Sequence, residues 1–327
     1  MERVVVVESP ETVREDLAVE QSILGPDIEL VRFECNGDEQ RLASACEQAN
    51  VILADLAPLT RTVVEQASQC RLISMTSIGY DNIDVSAASD AGISVCALDE
   101  YCTDEVADHA MLLILALVRR LPDYHYQVQT EQRWEPDSIS GLKRLRGMTL
   151  GVIGLGKIGS AIAHRASSFG MNIIAHDHHQ ANHAAANLDV QFCDFETLLG
   201  ESDVISLNCN LTDENSYLID AAAIAQMKRR PVLINCARGG LIDELALADA
   251  LDSGQISGAG LDVLADEPPS FEDLKLVNRN NVILTPHVAF YSDESWLESR
   301  KKSASNVRNF LDGKHELVRK YIYQARH

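Results

Sequence analysis

The sequence is short of basic side chains. Its 28 lysines and arginines stand against 49 aspartates and glutamates, which gives a formal charge of -21 at pH 7. Phosphate binding needs clustered lysine and arginine, and an anionic membrane surface repels a protein of this charge. We therefore expect neither nucleic acid nor a membrane as a partner. The simplest interpretation of the surplus carboxylates is a surface that keeps the protein in solution.

Long apolar runs are also missing. The longest run, Ala110–Val118, is about half of what a membrane-spanning helix needs, so it predicts a buried helix. At the amino terminus only four valines precede Glu8, which is too few for the apolar core of a secretory signal. The eight cysteines contain no CxxC pair, and a chain of 327 residues needs no disulfides. We expect reduced thiols and a cytoplasmic protein.

Short β-rich runs alternate with helical stretches along the chain. In the first third, strands are predicted at Val4–Val7, Val51–Ala54, Leu72–Met75 and Ile93–Cys96, with helices such as Glu11–Leu24 and Arg61–Ser68 between them. Further strands are predicted at Leu150–Ile153, Asn172–Ala175, Val204–Leu207, Val232–Asn235, Ala259–Val263 and Val282–Leu284. Two series of β/α units predict an α/β protein with two doubly wound parallel sheets, rather than one very large sheet.

The connection between the two series is predicted near Leu98, where a strand ends and a long helix begins at about Thr103. A polar, irregular stretch from Gln127 to Arg146 precedes the second series. The segment Glu294–Asp312 predicts a last helix, which we expect to pack back on the first domain.

The strongest motif is the glycine-rich loop Gly154-Leu155-Gly156-Lys157-Ile158-Gly159. It follows an apolar run and opens a helical stretch, which is the context that makes this loop a dinucleotide-binding fingerprint. Gly154 permits the tight turn, and Gly156 lets the backbone approach the pyrophosphate. Gly159 lets the helix pack against the strand while the helix N-terminus faces the phosphates. A chance glycine turn is the alternative.

Asp177 follows the next strand and predicts a preference for NAD over NADP. Its carboxylate can accept hydrogen bonds from the adenosine ribose and repels a 2′-phosphate. Four histidines surround it: His176, His178, His179 and His183. They lack regular ligand spacing, so we predict a solvated loop and no metal site, although His178 or His179 could soften the discrimination against NADP.

Three separate segments carry groups suited to keto-acid chemistry, each after a predicted strand. Arg238 can bind a carboxylate with two hydrogen bonds, and His287 can exchange a proton near neutral pH. Glu267 can orient the histidine ring and stabilise its charged form. Singly, Arg238 could form a surface ion pair, Glu267 could be a solvated loop acid, and His287 could be a core histidine. Together, downstream of a dinucleotide fingerprint, they favour an active site at the carboxyl ends of the strands.

These motifs resemble those of the D-isomer-specific 2-hydroxyacid dehydrogenases. The Asn-x-Ala-Arg-Gly motif at 235–239, the Asp-x-x-x-x-Glu-Pro motif at 262–268 and the Pro-His pair at 286–287 follow the glycine-rich loop in the family's order. The resemblance runs from about Val51 to Asp312. It implies that Arg238 binds substrate, that His287 is the acid/base and that Glu267 supports it.

The resemblance also implies two domains with the active site in the cleft between them. A flavodoxin-like substrate domain would comprise residues 1–99 and 289–327, and a Rossmann cofactor domain residues 100–288. The family further implies a homodimer through the cofactor domains. The reaction implied is hydride transfer between NAD(H) and a small 2-keto or 2-hydroxy acid, with the D-isomer as the hydroxy acid.

Substrate and cofactor contacts follow from the same resemblance. The backbone of Ser77, Ile78 and Gly79 would hold the substrate carboxylate, and Phe290 would line the pocket, with core packing as its alternative role. Cofactor contacts are implied for the glycine-rich loop, with Lys157 and Ile158, and for Val106, Asp177, Cys209, Asn210, Thr212, Cys236, Ala237, Arg238, Asp262 and His287. Cys209 and Cys236 are expected to be packing residues, because hydride transfer needs no nucleophile.

The loop that begins at Ser77 and the segment after His287 are most similar to the C-terminal-binding-protein branch of the family. That branch contains NAD-binding corepressors, so an NAD(H)-responsive binding protein with vestigial activity is the alternative function. Many family members read His-x-Pro-Leu-Thr where this chain has 208–212, which bears on cofactor affinity. Formate dehydrogenases carry glutamine where this chain has Glu267. The sequence does not name the substrate: glyoxylate, hydroxypyruvate, phenylpyruvate, 2-ketogluconate and bulkier keto acids are all candidates.

Overall fold

The computed structural model describes residues 1–9, 16–177 and 188–325. The chain forms two compact units. Unit 1 comprises Met1–Tyr101 and Ser292–His327, and unit 2 comprises Cys102–Tyr291. The prediction that residues 1–99 with 289–327 bind substrate, and that residues 100–288 bind the cofactor, stays a prediction.

Strands and helices alternate through both units. The strands are β1 (Glu2–Glu8), β2 (Ile28–Glu34), β3 (Val51–Ala54), β4 (Leu72–Met75), β5 (Ser94–Cys96), β6 (Thr149–Ile153), β7 (Asn172–His176), β8 (Val190–Phe192), β9 (Val204–Leu207), β10 (Val232–Asn235), β11 (Gly258–Leu261), β12 (Val282–Leu284) and β13 (Tyr321–Tyr323). The helices are α1 (Ala18–Leu24), α2 (Glu39–Cys46), α3 (Arg61–Gln66), α4 (Val85–Asp90), α5 (Thr103–Val118), α6 (Leu121–Gln129), α7 (Lys157–Ser168), α8 (Phe195–Glu201), α9 (Ala221–Ala225), α10 (Glu244–Ser253) and α11 (Asp293–Leu311).

Unit 1 is built on a sheet with the strand order β13-β5-β4-β3-β1-β2. The pairs among β1 to β5 are parallel, and β13 adds an antiparallel edge to β5. The four valines of β1 are fully buried because helices cover both faces of the sheet. Helix α11 packs on this sheet, and its Arg300 donates hydrogen bonds of 2.8 and 2.7 Å to the buried carboxylate of Glu20 on α1.

Unit 2 is built on a sheet with the strand order β12-β11-β10-β9-β6-β7-β8, and all of its pairs are parallel. The strand order reverses between β6 and β9. In open α/β sheets, ligands bind beyond the carboxyl ends of the strands at such a switch point. The loops after β6, β7, β9, β10, β11 and β12 therefore all leave from the edge where a binding site is expected.

The predicted α/β class with two doubly wound sheets is confirmed, and most predicted strands match within one or two residues. Sequence reasoning missed β2, β8 and β13. Each is an edge strand with several solvent-exposed or partly exposed side chains, so none shows a continuous apolar run. The predicted irregular stretch from Gln127 begins inside α6, which ends at Gln129. Of the predicted helix Glu11–Leu24, residues Ala18–Leu24 are helical, and 11–15 lie outside the described residues.

Among the helices that the structure describes, each is too short or too polar to span a bilayer.

Candidate active site

Three adjacent strands of unit 2 bring the predicted catalytic residues together. Arg238 follows β10, Glu267 follows β11 and His287 follows β12, and these strands are neighbours in the order β12-β11-β10. Because the strands are parallel, all three side chains leave from one edge of the sheet. Sequence positions up to 49 apart thus converge at one place.

His287 and Glu267 form a hydrogen-bonded pair. The Nδ1 atom of His287 lies 2.7 Å from Oε2 of Glu267, and Oε1 of Glu267 accepts a hydrogen bond of 2.9 Å from the Leu264 N–H. Partial burial alone would raise the pKa of Glu267. The hydrogen bond and charge of His287, together with the Leu264 N–H and Arg238, outweigh it and hold that pKa below its ordinary value. Glu267 therefore acts on the ring as a carboxylate.

Arg238 lies close enough to Glu267 for its charge to lower that pKa. Its turn is fixed by Asn235, whose amide donates to the Arg238 carbonyl at 2.8 Å and whose Oδ1 accepts from Ala237 N at 3.0 Å. The next residue, Gly239, lies against the backbone of Leu264, where a β-carbon would meet the Leu264 carbonyl carbon at 1.9 Å. The glycine lets the arginine turn approach the Glu267 loop.

The backbone of His287 is in the left-handed region, with φ +52°. This conformation costs a residue with a β-carbon about 1–2 kcal/mol, so neighbouring contacts must hold it. The buried residue Asp262 supplies them. Its carbonyl accepts from His287 N at 2.7 Å, and its carboxylate oxygens accept from Val288 N at 2.9 Å and Ala289 N at 2.8 Å.

Phe290 lies beside the histidine. The two rings are 6.1 Å apart in an edge-to-face arrangement, and Phe290 makes a second edge-to-face contact, at 6.2 Å, with Tyr291. Such pairs hold an aromatic ring in place. The structure thus brings Arg238, Glu267, His287 and Phe290 into one region of unit 2, and their individual roles stay predictions.

The glycine-rich loop joins β6 to α7 in the geometry that a dinucleotide requires. Gly154 has φ +87°, and a β-carbon there would meet the Asn208 carbonyl oxygen at 2.8 Å. A β-carbon on Gly159 would lie 2.1 Å from the Gly154 carbonyl oxygen, so the helix packs directly on the turn. At Gly156 a β-carbon would face open space, with none of the described atoms within 4 Å.

Helix α7 begins after Gly156 without a side-chain cap, and the positive end of its dipole lies at the glycine-rich loop, where an anionic ligand is favoured. Together with the open space at Gly156, this arrangement fits a pyrophosphate. Asp177 follows β7, and its Oδ2 accepts a hydrogen bond of 2.5 Å from Leu155 N. The carboxylate is thereby held beside the glycine-rich loop.

Of the four histidines around Asp177, only His176 lies among the described residues. His176 ends β7 and contacts the Cys193 carbonyl oxygen through Nδ1 at 3.3 Å. His178, His179 and His183 lie outside the described residues. Within 1–9, 16–177 and 188–325, no three His, Cys, Asp or Glu side chains form a metal-binding group.

The other predicted cofactor residues lie in unit 2 as well. Val106 is buried in α5, Lys157 and Ile158 open α7, Cys209, Asn210 and Thr212 follow β9, and Cys236 and Ala237 follow β10. Burial raises the pKa of both the Cys209 and Cys236 thiols, which makes them poor nucleophiles. This agrees with their predicted role as packing residues.

The predicted carboxylate-binding loop lies in unit 1, after β4. Ser77 Oγ donates to the Gly79 carbonyl at 2.7 Å, and the Ser77 carbonyl accepts from Leu98 N at 2.9 Å. Lys320 donates through Nζ to the Ile78 carbonyl at 3.2 Å and lies 5.6 Å from the Tyr80 ring centre. The three hydrogen bonds hold the carbonyl groups of Ser77, Ile78 and Gly79. In the predicted role of this loop, its N–H groups would meet the substrate.

Sequence reasoning missed two residues of this region. Thr285 donates through its hydroxyl to the Asp262 carboxylate at 2.5 Å, and His109 on α5 lies 3.0 Å from that hydroxyl. The only sequence signal was a polar histidine beside the apolar run that begins at Ala110.

Comparison with known proteins gives one family. Residues 111–289 match the model described as "D-isomer specific 2-hydroxyacid dehydrogenase, NAD binding domain", which confirms NAD as the predicted cofactor. The chain is 37% identical over 263 residues to a D-3-phosphoglycerate dehydrogenase of Synechocystis sp.. That match covers 80% of this chain and 47% of the relative, so the chain spans about half the length of the curated relatives it matches.

Solved structures match over nearly the whole chain. A D-lactate dehydrogenase from Aquifex aeolicus, complexed with NAD and lactic acid, has a TM-score of 0.87 at 30% identity and covers 98% of both chains. A glyoxylate reductase from Paecilomyes thermophila has a TM-score of 0.87 at 28% identity and also covers 98% of both chains.

Proposed function

Because the chain belongs to the family of D-isomer-specific 2-hydroxyacid dehydrogenases, we propose that it interconverts a small 2-keto acid and the corresponding D-2-hydroxy acid. NAD(H) is the cofactor, and when bound it exchanges a hydride with C2 of the substrate. The pair formed by His287 and Glu267, with Arg238 beside it, is the observation that carries this proposal.

In the reductive direction, the keto acid needs a proton on its carbonyl oxygen as C2 gains the hydride. His287 supplies it from Nε2, because Nδ1 is engaged with Glu267. Glu267 fixes the ring and offsets its positive charge. Arg238 and the N–H groups of Ser77–Gly79 bind the substrate carboxylate, and Arg238 polarises the adjacent carbonyl. Phe290 lines the substrate pocket. Oxidation of the hydroxy acid returns the same proton to His287.

We further propose that NADH is preferred over NADPH. The carboxylate of Asp177 is held beside the glycine-rich loop by its hydrogen bond to Leu155 N, and it would repel a 2′-phosphate. The remaining cofactor residues, Asp262 among them, keep the roles that the family resemblance implies.

The assembly and location of the protein also follow from the family as proposals. We propose a homodimer through unit 2, which exposes several large apolar side chains in one stretch of sequence: Leu112, Leu121, Tyr126, Val128 and Trp134. The eight free thiols support a reducing, cytoplasmic setting. Light scattering coupled to size-exclusion chromatography tests the dimer, and a monomer at micromolar concentration contradicts it.

The function is tested by following the loss of reduced-nicotinamide absorbance with a panel of keto acids, in parallel with NADH and NADPH. The panel comprises glyoxylate, pyruvate, hydroxypyruvate, phenylpyruvate and 2-ketogluconate, and D-3-phosphoglycerate is offered with NAD in the oxidative direction. Turnover of one or a few compounds with NADH, giving the D-product on a chiral column, is the expected result. If no compound of the panel is turned over although NADH still binds, the corepressor-like alternative is favoured.

His287→Ala is the variant that tests the proposed proton donor. It should lower kcat by about 10²-fold or more, since it removes the proton donor, while the Kd for NADH stays close to that of the wild type. His164→Ala, at an exposed position in α7, is the control and should keep full activity. Near-normal turnover by His287→Ala would refute the assigned role.

A further inference from the structure

A partly buried series of hydrogen bonds links helix α5 to the loop that carries His287. Nε2 of His109 lies 3.0 Å from the Thr285 hydroxyl, and this hydroxyl lies 2.5 Å from Oδ1 of Asp262. The His109 side chain is 15% exposed and that of Asp262 is 1% exposed. All three residues belong to unit 2, and 176 positions separate His109 from Thr285.

The direction of each hydrogen bond follows from the donors available. The Asp262 carboxylate accepts hydrogen bonds from the N–H groups of Val288 and Ala289. Its Oδ1 atom also accepts a hydrogen bond from the Thr285 hydroxyl, which is the shortest of the three contacts. The Thr285 oxygen then has only lone pairs left, so it accepts from Nε2–H of His109. His109 therefore carries a proton on Nε2, either in that neutral tautomer or in its charged form.

The far end of this series of hydrogen bonds is the backbone of the acid/base residue. Asp262 accepts the N–H of His287 through its carbonyl and the next two N–H groups through its carboxylate. These contacts hold the left-handed turn at His287, where φ is +52°. A small rotation of the Asp262 side chain would release two of the three N–H groups.

We propose that His109 is a positioning residue for His287. By holding the Thr285 hydroxyl, it fixes the Asp262 carboxylate in the rotamer that binds the backbone after His287. It touches neither substrate nor cofactor in this role. The inference rests on the proposed function, because it requires that His287 transfers the proton.

His109→Leu should therefore lower kcat with little effect on binding. Misplacing a reacting group by a fraction of an ångström to an ångström costs up to about 10²-fold in rate. We expect kcat for glyoxylate, or for the best compound of the panel, to fall about 10- to 100-fold. The KM for that compound and the Kd for NADH, measured by fluorescence titration, should stay within about threefold, because neither ligand loses a contact.

His109→Gln is the rescue variant. Its side-chain amide can place an N–H near the position of the imidazole Nε2–H, so kcat should return to within about threefold of the wild type. Thr285→Val removes only the hydroxyl and should lower kcat as His109→Leu does. The double variant should be no slower than the slower single variant, because both substitutions interrupt the same series of hydrogen bonds. His164→Leu is the control for loss of a histidine.

The outcomes separate this inference from the proposed function. If the wild type turns over no compound of the panel, the proposed function itself fails. If the wild type is active and His287→Ala is equally active, the role of His287 fails, and the positioning role of His109 with it. If His287→Ala is inactive while His109→Leu keeps its kcat, the positioning role is wrong. It is equally wrong if His109→Gln is as slow as His109→Leu, or if the losses in the double variant multiply. Should His109→Leu be insoluble, an unchanged kcat in Thr285→Val overturns the inference.

Discussion

Gly239 lies against the main chain of Leu264 so closely that no other residue fits there. A β-carbon at Gly239 would meet the Leu264 carbonyl carbon at 1.9 Å and its oxygen at 2.0 Å. Both neighbours are backbone atoms, so neither can rotate away. This contact joins the turn that carries Arg238 to the loop that carries Glu267, and thereby sets the spacing of two predicted catalytic groups.

Gly239→Ala should separate these two loops. We expect a loss of about 1–3 kcal/mol in the free energy of unfolding, as for other overpacked sites, and a fall in kcat/KM of about 10²-fold. Urea titration and steady-state kinetics measure the two effects. Gly200→Ala is the matched control: its β-carbon would come no closer than 3.8 Å to its nearest neighbour, and alanine favours the helix there. Equal behaviour of both variants would contradict the argument.

The central strands could be predicted from the sequence because they are buried on both faces. β3, β4, β9 and β10 match the predicted runs residue for residue. The edge strands β2, β8 and β13 could not, because exposed or partly exposed side chains make them resemble loops. β12 is an edge strand that the sequence did predict, since Val282, Ile283 and Leu284 form an apolar run. β13 adds a second difficulty, since it pairs antiparallel with β5 from more than 200 positions away.

Some residues of the candidate site could likewise be predicted from the sequence, and others could not. Arg238, Glu267 and His287 could be predicted because each combines a reactive side chain with a position just after a strand. His109 could not, because its partner Thr285 lies 176 positions away and neither residue belongs to a motif. The close approach at Gly239 was equally hidden, since the sequence shows a glycine but not what lies beside it.

Glu267→Gln should slow keto-acid reduction and change its pH dependence. The amide keeps the shape but lacks the charge that stabilises protonated His287, so we expect kcat to fall about 10- to 100-fold. The wild-type rate should fall in acid as the pH passes through the lowered pKa of Glu267, and the glutamine variant should lack that fall. Rate profiles from pH 3 to pH 9 compare the two proteins. Glu272→Gln, at an exposed position in the same loop region, should leave the profile unchanged.

The same carboxylate has a consequence for stability. The pKa of Glu267 is lowered in the folded protein, so its ionised form contributes stability above its unfolded pKa, which is about 4.3 for glutamate. That contribution is lost as the pH falls through the folded value. The difference in Tm between wild type and Glu267→Gln should therefore be present at pH 7 and vanish in acid. A Tm difference that grows in acid would contradict a lowered pKa of Glu267 in the folded protein.

Asp177→Ala should narrow the preference for NADH over NADPH. Removing the carboxylate removes the repulsion of a 2′-phosphate and also the hydrogen bonds to the ribose, so kcat/KM should fall with NADH and rise with NADPH. We expect the ratio to change by about tenfold or more, which corresponds to ~1.4 kcal/mol. Asp189→Ala is the control, because Asp189 precedes β8 and so lies at the amino ends of the strands, whereas Asp177 lies at their carboxyl ends. An unchanged ratio in Asp177→Ala would remove Asp177 from the cofactor site.

The ion pair between Arg300 and Glu20 gives a prediction for unit 1. Both side chains are largely buried, at 10% and 0% exposure, and they join α11 to α1 through two hydrogen bonds. Arg300→Met leaves the Glu20 charge buried and should lower the free energy of unfolding by about 3–5 kcal/mol. Replacing both residues, as Glu20→Leu with Arg300→Met, also removes the buried Glu20 charge and should recover most of that loss.

Chemical denaturation of the full chain, followed by circular dichroism, measures these differences. The exposed pair of Arg133 and Glu135 is the control, and Arg133→Ala should leave the free energy of unfolding nearly unchanged because water screens both charges. If the double variant is as unstable as Arg300→Met, the loss comes from the shape of the two side chains and not from the loss of the arginine charge beside Glu20. The hydrogen bond from Arg300 to the Asp16 carbonyl, at 2.7 Å, is lost in both variants and would then account for part of the loss, because it links α11 to the segment before α1.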